Sequence, residues 1–219
     1  MTSFPKKVLP FGVSLPLLST LFLTSASFAG VANYPAQQQW QGAAVYSMFD
    51  TMGSGVPVSQ CHVLTNEHVV RGSKRANVDI AGERYTATVI SIDSDNDMAL
   101  LRVSDCPIEY FAKLSKVAPK KGDMLTSVYY KPGFNFFRRM TKTKGKFVGF
   151  GQMLTEEDKT MTSMIIDDKR PRIGSSGGGI STKNGLVSII YGVASKYAKP
   201  TTYAISYDAL KAFMLKNHI

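Results

Sequence analysis

Short runs of apolar and β-branched residues, bounded by glycine, proline, asparagine or aspartate, recur along most of the chain. Nine such runs stand at 44–49, 62–65, 84–92, 98–103, 124–130, 146–150, 163–166, 186–191 and 202–205. Runs of this length with turn residues between them are typical of barrels and sandwiches rather than of alternating strands and helices. The pattern therefore predicts an all-β fold.

One helix is predicted, at the end of the chain, from about Tyr207 to Leu215. Ser206 stands before it as an N-cap, and Asp208 lies in the first turn, where a negative charge is favourable. The apolar positions at helical spacing are Leu210, Phe213 and Met214. We expect this apolar stripe to pack against the sheet rather than to bind a partner.

The first 29 residues have the parts of a secretory signal peptide. Lys6 and Lys7 precede an apolar stretch, and small residues ending at Ala29 form a cleavage site. The alternative is an uncleaved membrane anchor, but Pro10 and Pro16 interrupt the apolar stretch, which is short for a bilayer span. We therefore expect an exported protein, in the periplasm or outside the cell, whose mature part spans residues 30–219 and has no integral membrane span.

Positive charge is concentrated in one part of the chain. The formal net charge is +10, and residues 113–146 hold ten lysines and arginines against Asp123 alone. One interpretation is a solvated basic face, and the other is contact with an anionic envelope polymer or an acidic substrate. Nucleic acid is not an expected partner of an exported chain.

A glycine-rich segment, Gly-Ser-Ser-Gly-Gly-Gly at 174–179, contains a candidate nucleophile, Ser176. Without Cβ atoms in the way, the backbone N–H groups of such a turn can point at one spot, and those of Gly174 and Ser176 would form an oxyanion hole. By itself such a cluster is most often only a loop, so the prediction depends on partners elsewhere.

A serine hydroxyl is a weak nucleophile unless an imidazole takes its proton and a carboxylate orients that imidazole. Of the three histidines, His218 is penultimate and His62 starts a strand, which leaves His68 at a strand end as the candidate base. Asp97 is the candidate acid because an apolar strand begins directly after it. Nearby Asp93 and Asp95 compete for this role or form the turn.

The two cysteines, Cys61 and Cys106, are expected to form a disulfide in an oxidising compartment. If the strand that leads to His68 is antiparallel to the strand that follows Asp97, Cys61 lies roughly opposite Cys106. Two buried free thiols are the alternative.

Four segments occur in the order and context found in trypsin-like serine proteases: residues 53–55, 63–70, 97–101 and 174–178. The chain resembles the HtrA-type and glutamyl endopeptidase branches over most of residues 44–217. The resemblance implies two packed six-stranded antiparallel β-barrels, at about 43–115 and 122–206, before a short C-terminal helix at about 207–215. His68 and Asp97 would come from the first barrel and Ser176 from the second.

The resemblance also implies a substrate strand at Tyr191, Gly192 and Val193, a polypeptide substrate, and no metal or organic cofactor. Arg170 and Arg172 would lie near the specificity pocket, facing either inward or into solvent. The leading hypothesis is an exported serine endopeptidase. The alternative is a catalytically silent protein of the same fold that binds an anionic envelope component or protein partner through residues 113–146. The sequence leaves the oligomeric state open.

Overall fold

The two predicted barrels are present in the computed structural model, which describes residues 40–48, 51–132, 138–154, 159–194 and 201–219. The first closed barrel has the strand order β1-β2-β3-β6-β5-β4, and the second has the order β10-β11-β12-β9-β8-β7. All neighbouring strands in both barrels are antiparallel. The signal-peptide prediction falls on residues 1–29, outside the described residues, and stays a prediction.

The elements of the first barrel are β1 (Ala43–Ser47), β2 (Met52–Pro57), β3 (His62–Thr65), α1 (Glu67–Val70), β4 (Arg75–Ile80), β5 (Glu83–Asp93) and β6 (Met98–Val103). Those of the second are β7 (Met124–Pro132), β8 (Arg138–Leu154), β9 (Thr160–Asp167), β10 (Gly179–Thr182), β11 (Gly185–Ala194) and β12 (Thr201–Ile205), followed by α2 (Tyr207–Lys216).

Strand β6 shows how the sequence specifies this packing. Side chains alternate between the faces of a strand, so Ala99 and Leu101 point into the first barrel while Met98 and Leu100 join the apolar core between the barrels. All four side chains are buried. Because both faces of β6 are covered at residues 98–101, this part of the strand is a continuous apolar run, and it holds the residue before it, Asp97, at a rigid edge.

Three strands were absent from the sequence prediction: β2, β4 and β10. Strand β2 contains Gly53 and Gly55, and glycine has low β propensity because it has no side chain to pack. Here the glycine makes room, since a Cβ on Gly55 would lie 2.5 Å from Val63 and 3.0 Å from Val45. The glycines that make β2 hard to recognise in the sequence therefore also allow the neighbouring strands to pack closely against it.

Helix α2 packs Leu210, Phe213 and Met214 into the apolar core between the barrels and ends one residue beyond the predicted limit. The Ser206 hydroxyl accepts a hydrogen bond from the Ala209 N–H at 3.3 Å, as expected of an N-cap. The Tyr207 hydroxyl donates to the Ser115 carbonyl at 2.7 Å and so ties the helix to the segment between the barrels.

Within the described ranges no helix is both long and apolar enough to cross a membrane.

A disulfide joins Cys61 and Cys106 in the first barrel. Strands β3 and β6 are antiparallel, with His62 opposite Arg102 and Thr65 opposite Ala99. This pairing places the two cysteines next to each other beyond the same ends of the strands. The opposite ends of β3 and β6 are then free to hold His68 and Asp97 together.

Candidate active site

His68 and Asp97 make two contacts with each other at one edge of the first barrel. The His68 Nδ1 atom lies 2.7 Å from the Asp97 Oδ2 atom, and the His68 backbone N–H donates to Oδ1 at 2.8 Å. The Asp97 side chain is 5% exposed and that of His68 is 16% exposed. The carboxylate therefore fixes both the backbone and the ring of His68 while one face of the ring stays accessible.

Asn66 holds the backbone of Asp97 in place. Asp97 has φ 51°, in the left-handed region, and its carbonyl accepts a 2.9 Å hydrogen bond from the Asn66 side-chain amide. Asn66 is the N-cap residue of α1, but its side chain makes no cap hydrogen bond and is used for this contact instead. A four-residue helix and a turn are thus joined so that the imidazole meets the carboxylate.

The contact with Asp97 determines the tautomer of the imidazole. An ionised carboxylate only accepts hydrogen bonds, so the Nδ1 atom of His68 carries a hydrogen. In the neutral ring the Nε2 atom then has a free lone pair. The pair of residues therefore presents a proton acceptor on the side of the ring that faces away from Asp97.

The segment before Ser176 has the geometry of a type II turn. The Ser175 N–H donates to the Arg172 carbonyl at 2.9 Å, and Gly174, at the third position, has φ 88°. Within the described part of the chain, the N–H groups of Gly174 and Ser176 make no hydrogen bond. Two donors beside the serine are consequently available to an anionic oxygen.

Ser176 and His68 both contact Tyr191. The Ser176 hydroxyl donates to the Tyr191 carbonyl at 3.0 Å, while the rings of Tyr191 and His68 pack edge to face with centroids 5.6 Å apart. Among the described residues there is no hydrogen bond between Ser176 and His68. A rotation about χ1 redirects a serine hydroxyl, and such contacts commonly tighten only when substrate binds.

Ser54, in β2, holds the serine turn against the first barrel. Its N–H donates to the Ser176 carbonyl at 2.7 Å, and its hydroxyl donates to the Gly174 carbonyl at 2.7 Å. The same hydroxyl accepts from the Tyr130 N–H at 2.8 Å, and its carbonyl accepts from the Thr65 hydroxyl at 2.7 Å. Ser54 is fully buried. This role of Ser54 was not predicted from the sequence, because the two flanking glycines give strand β2 no recognisable pattern.

The predicted substrate strand is the part of β11 that follows the Ser176 contact. Gly192 is half-buried, and no atom of the described residues lies within 4 Å of a Cβ added there, so this part of the strand has open space beside it. The backbone of Val193 pairs with Thr202, and its side chain lies outside the described part. Tyr191 is the one predicted substrate-strand side chain with a described contact to the site, through its ring against His68.

The two arginines near the predicted specificity pocket are exposed. The Arg170 Nε donates to the buried carboxylate of Asp168 at 2.8 Å, and its Nη2 donates to the Lys144 carbonyl. The Arg172 guanidinium donates to backbone carbonyls in its own loop. Neither guanidinium is thus free of partners.

In the described ranges no group of three histidine, cysteine or carboxylate side chains could hold a metal ion.

The fold and this site match a known family. Residues 53–188, more than half of the chain, match the model of the trypsin-like peptidase domain. The chain therefore belongs to the trypsin-like peptidase family. The expected resemblance to this superfamily and to its HtrA-type branch is confirmed.

Two relatives and one solved structure illustrate the match. The chain is 29% identical over 143 residues, 63% of its length, to the protein named "Probable periplasmic serine protease do/HhoA-like" of Haemophilus influenzae. It is 26% identical over 178 residues, 74% of its length, to the serine protease Do-like HtrA of Bacillus subtilis. These matches span 29% and 39% of the two relatives.

The active form of the Rv3671c protease from Mycobacterium tuberculosis shares the fold. The alignment has a TM-score of 0.68, with 20% identity, and covers 96% of this chain and 94% of that one.

Proposed function

We propose that this protein is an exported serine endopeptidase in which Ser176 is the nucleophile, His68 the general base and acid, and Asp97 the orienting carboxylate. The observation that carries the proposal is the two-point contact of Asp97 with His68, at 2.7 and 2.8 Å, beside a serine turn whose Gly174 and Ser176 N–H groups bond to no described residue. Family membership supports the same chemistry.

In the proposed reaction, the Ser176 Oγ attacks the carbonyl carbon of the scissile peptide while its proton moves to the Nε2 atom of His68. The C–O bond forms as the carbonyl π bond opens, and the resulting oxyanion accepts from the N–H groups of Gly174 and Ser176. One donor of this kind contributes roughly 3 to 4 kcal/mol in enzymes of this type. Asp97 stays ionised and stabilises the imidazolium.

His68 then returns the proton to the leaving amine, and the C–N bond breaks to give an acyl-enzyme. Water then attacks the acyl carbon and loses a proton to the same Nε2 atom. The bond between the acyl carbon and the Ser176 Oγ breaks, His68 returns the proton to Oγ, and the carboxylic acid product leaves. The chemistry needs no metal and no organic cofactor in this proposal. Every step uses side chains and backbone groups of this chain.

The substrate is proposed to be an extended polypeptide that lies along β11 at Tyr191, Gly192 and Val193. Open space beside Gly192 supports this, because a backbone can approach a glycine closely. A preference for an acidic substrate residue before the scissile bond receives no support, since the guanidinium groups of Arg170 and Arg172 already donate to protein groups.

Export is part of the proposal. It is supported by the signal-like first 29 residues and by the disulfide between Cys61 and Cys106, which is typical of oxidising compartments. One named relative is described as periplasmic. Secretion beyond the cell envelope is equally compatible with these observations.

The proposal is tested by incubating the protein with denatured casein and identifying the cleavage products by mass spectrometry. Wild type is expected to give defined peptides, and Ser176→Ala is expected to reduce the cleavage rate by at least about 10³-fold. Thermal unfolding of both proteins controls for folding. Equal cleavage by both proteins would reject Ser176 as the nucleophile, and no cleavage by folded wild type across several unfolded substrates would favour the binding-protein alternative.

A further inference from the structure

The outer face of the second barrel has a cavity of about 300 Å³ that belongs to no part of the proposed active site. Its lining includes three lysines, Lys142, Lys144 and Lys183, three hydroxyl residues, Thr126, Ser181 and Thr182, and Trp40. A neighbouring hollow of about 410 Å³ shares Lys183 with it and adds Lys120. Together the two hollows form what we call the basic groove.

Strand pairing explains why these side chains meet. Lys142 and Lys144 are two residues apart on β8, so both point outward from the same face, about 7 Å from each other along the strand. Thr126 in β7 lies opposite Lys144 on one side and opposite Ser181 of β10 on the other. Lys183 follows two residues later, at the turn after β10.

The charge in the basic groove is unbalanced. None of Lys142, Lys144 and Lys183 forms an ion pair with a described carboxylate. Asp123, which lines the neighbouring hollow, accepts a hydrogen bond from the Lys120 backbone N–H at 2.8 Å. Like charges around one concave surface raise its positive potential, so an anion would be attracted there.

The donors in the groove favour a particular anion. Ammonium groups and hydroxyls donate several hydrogen bonds, and a phosphate group has enough oxygens to accept from more than one of them at once. A lone carboxylate offers two oxygens and would leave donors unused. Lysines line both of the adjoining hollows, which fits a ligand that carries several such groups in a row.

We propose that the basic groove binds a soluble, phosphate-bearing chain, such as a polyphosphate or a phosphodiester polymer. The groove is concave and lies on the side of a barrel, which suits a chain lying in it better than a flat bilayer surface. It shares no residue with the proposed catalytic set. Its test is therefore independent of the proposed peptidase activity.

Trp40 makes the test local. It is the single tryptophan of the chain and lines one end of the groove, where it is 7% exposed. Its fluorescence is recorded while the full chain is titrated with sodium tripolyphosphate. The test variant is Lys142→Ala with Lys144→Ala. The control variant is Lys74→Ala with Lys211→Ala, which removes the same charge from exposed positions elsewhere.

We expect a saturable fluorescence change in wild type, a loss of affinity of at least about tenfold in the test variant, and less than about a twofold change in the control. The affinity should also fall as salt concentration rises. The proposal is wrong if wild type shows no saturable change, or if the test and control variants lose affinity equally. Equally tight binding of a glutamate oligomer of matching charge would contradict the preference for phosphate.

Vesicles distinguish a soluble ligand from a lipid headgroup. Phosphatidylglycerol vesicles are sedimented with the protein in the presence and absence of tripolyphosphate, with phosphatidylcholine vesicles as the control. We expect vesicle binding to be weak and to be displaced by tripolyphosphate. Tight binding that tripolyphosphate does not displace would contradict a soluble-phosphate groove and would indicate a membrane surface instead.

Discussion

The hydroxyl of Ser54 in the first barrel donates a 2.7 Å hydrogen bond to the carbonyl of Gly174 in the second. The N–H of Gly174 is one of the two proposed oxyanion donors, so this bond holds the residue that carries the donor. A group from one barrel thus positions the turn that the other barrel contributes to the site. In the proposed reaction, the Gly-Ser-Gly sequence of β2 therefore serves to position the oxyanion donor as well as to allow close packing.

Ser54→Ala is expected to lower activity more than its effect on folding explains. The substitution leaves the Gly174 carbonyl and the Tyr130 N–H without their buried partner, which costs about 1–3 kcal/mol of unfolding free energy. Displacement of the oxyanion donor should lower kcat/KM for peptide cleavage by at least about tenfold. Activity is measured with a cleaved peptide and stability by urea unfolding.

Ser188→Ala is the matched control for Ser54→Ala. Ser188 is also fully buried, and its hydroxyl donates to the Ile205 carbonyl, away from the serine turn. This variant is expected to lose stability while keeping kcat/KM within about twofold. Equal losses of kcat/KM in the two variants would show that Ser54 acts only through stability.

Gly177→Ala is expected to disrupt the serine turn. Gly177 has φ 83°, and a Cβ there would lie 2.1 Å from the Ser54 carbonyl oxygen and 2.5 Å from the Thr65 hydroxyl. Gly122→Ala separates the cost of the left-handed backbone from the cost of the steric clash. Gly122 has φ 97°, but no atom of the described residues lies within 4 Å of an added Cβ. We expect a loss of about 1 kcal/mol at Gly122 and at least about 3 kcal/mol at Gly177 in urea unfolding. Similar losses at both positions would contradict the close approach of the two barrels.

Removing the disulfide is expected to destabilise the first barrel substantially. The bond closes a loop with a sequence separation of 45. The bond restricts the unfolded chain, so its removal is expected to lower the free energy of unfolding by about 4 kcal/mol for a loop of that size. The change is Cys61→Ser with Cys106→Ser, and the measurement is the free energy of unfolding in urea. A loss below about 1 kcal/mol would contradict a structural role for the bond.

His62 makes the fold sensitive to mild acid. Burial, and secondly the positive charge of Arg102, lower the pKa of His62 below its usual value of 6.5. The unfolded chain therefore binds the proton more readily, so the free energy of unfolding falls as pH decreases below about 6.5. His62→Gln should flatten this fall, whereas His218→Gln, at an exposed position, should not. The free energy of unfolding is measured in urea at several pH values between 7 and 5. An equal fall of this free energy with decreasing pH in wild type and His62→Gln would refute the prediction.

The two barrels could be predicted because the order of the motifs fits one family, and Asp97 could be chosen because an apolar strand follows it. Strand β6 is buried on both faces, so its continuous apolar sequence is easy to recognise. Strand β2 was missed because its glycines have no side chains to show a pattern. Helix α1, which carries His68, is too short, at four residues, to show helical periodicity.

Other features depend on contacts between distant residues. The excess of lysine in residues 113–146 is visible in the sequence. That Lys144 and Lys183 line the same groove, however, depends on β7 lying between β8 and β10. The role of Ser54 likewise arises from contacts with Tyr130 and Gly174, which are 76 and 120 residues away. Propensity and periodicity describe neighbours in the chain and contain no information about such pairs.

Covalent labelling of Ser176 is the sharpest test that this residue is a nucleophile activated by His68 and Asp97. Folded wild type, Ser176→Ala and Asp97→Asn are treated with a fluorophosphonate probe at pH 7.5, and the modified residue is located by peptide mass spectrometry. We expect one adduct on Ser176 in wild type, none in Ser176→Ala, and labelling slower by about 10³-fold or more in Asp97→Asn, where the imidazole has the wrong tautomer. Labelling of wild type at another residue, or an undiminished rate in Asp97→Asn, would contradict this expectation.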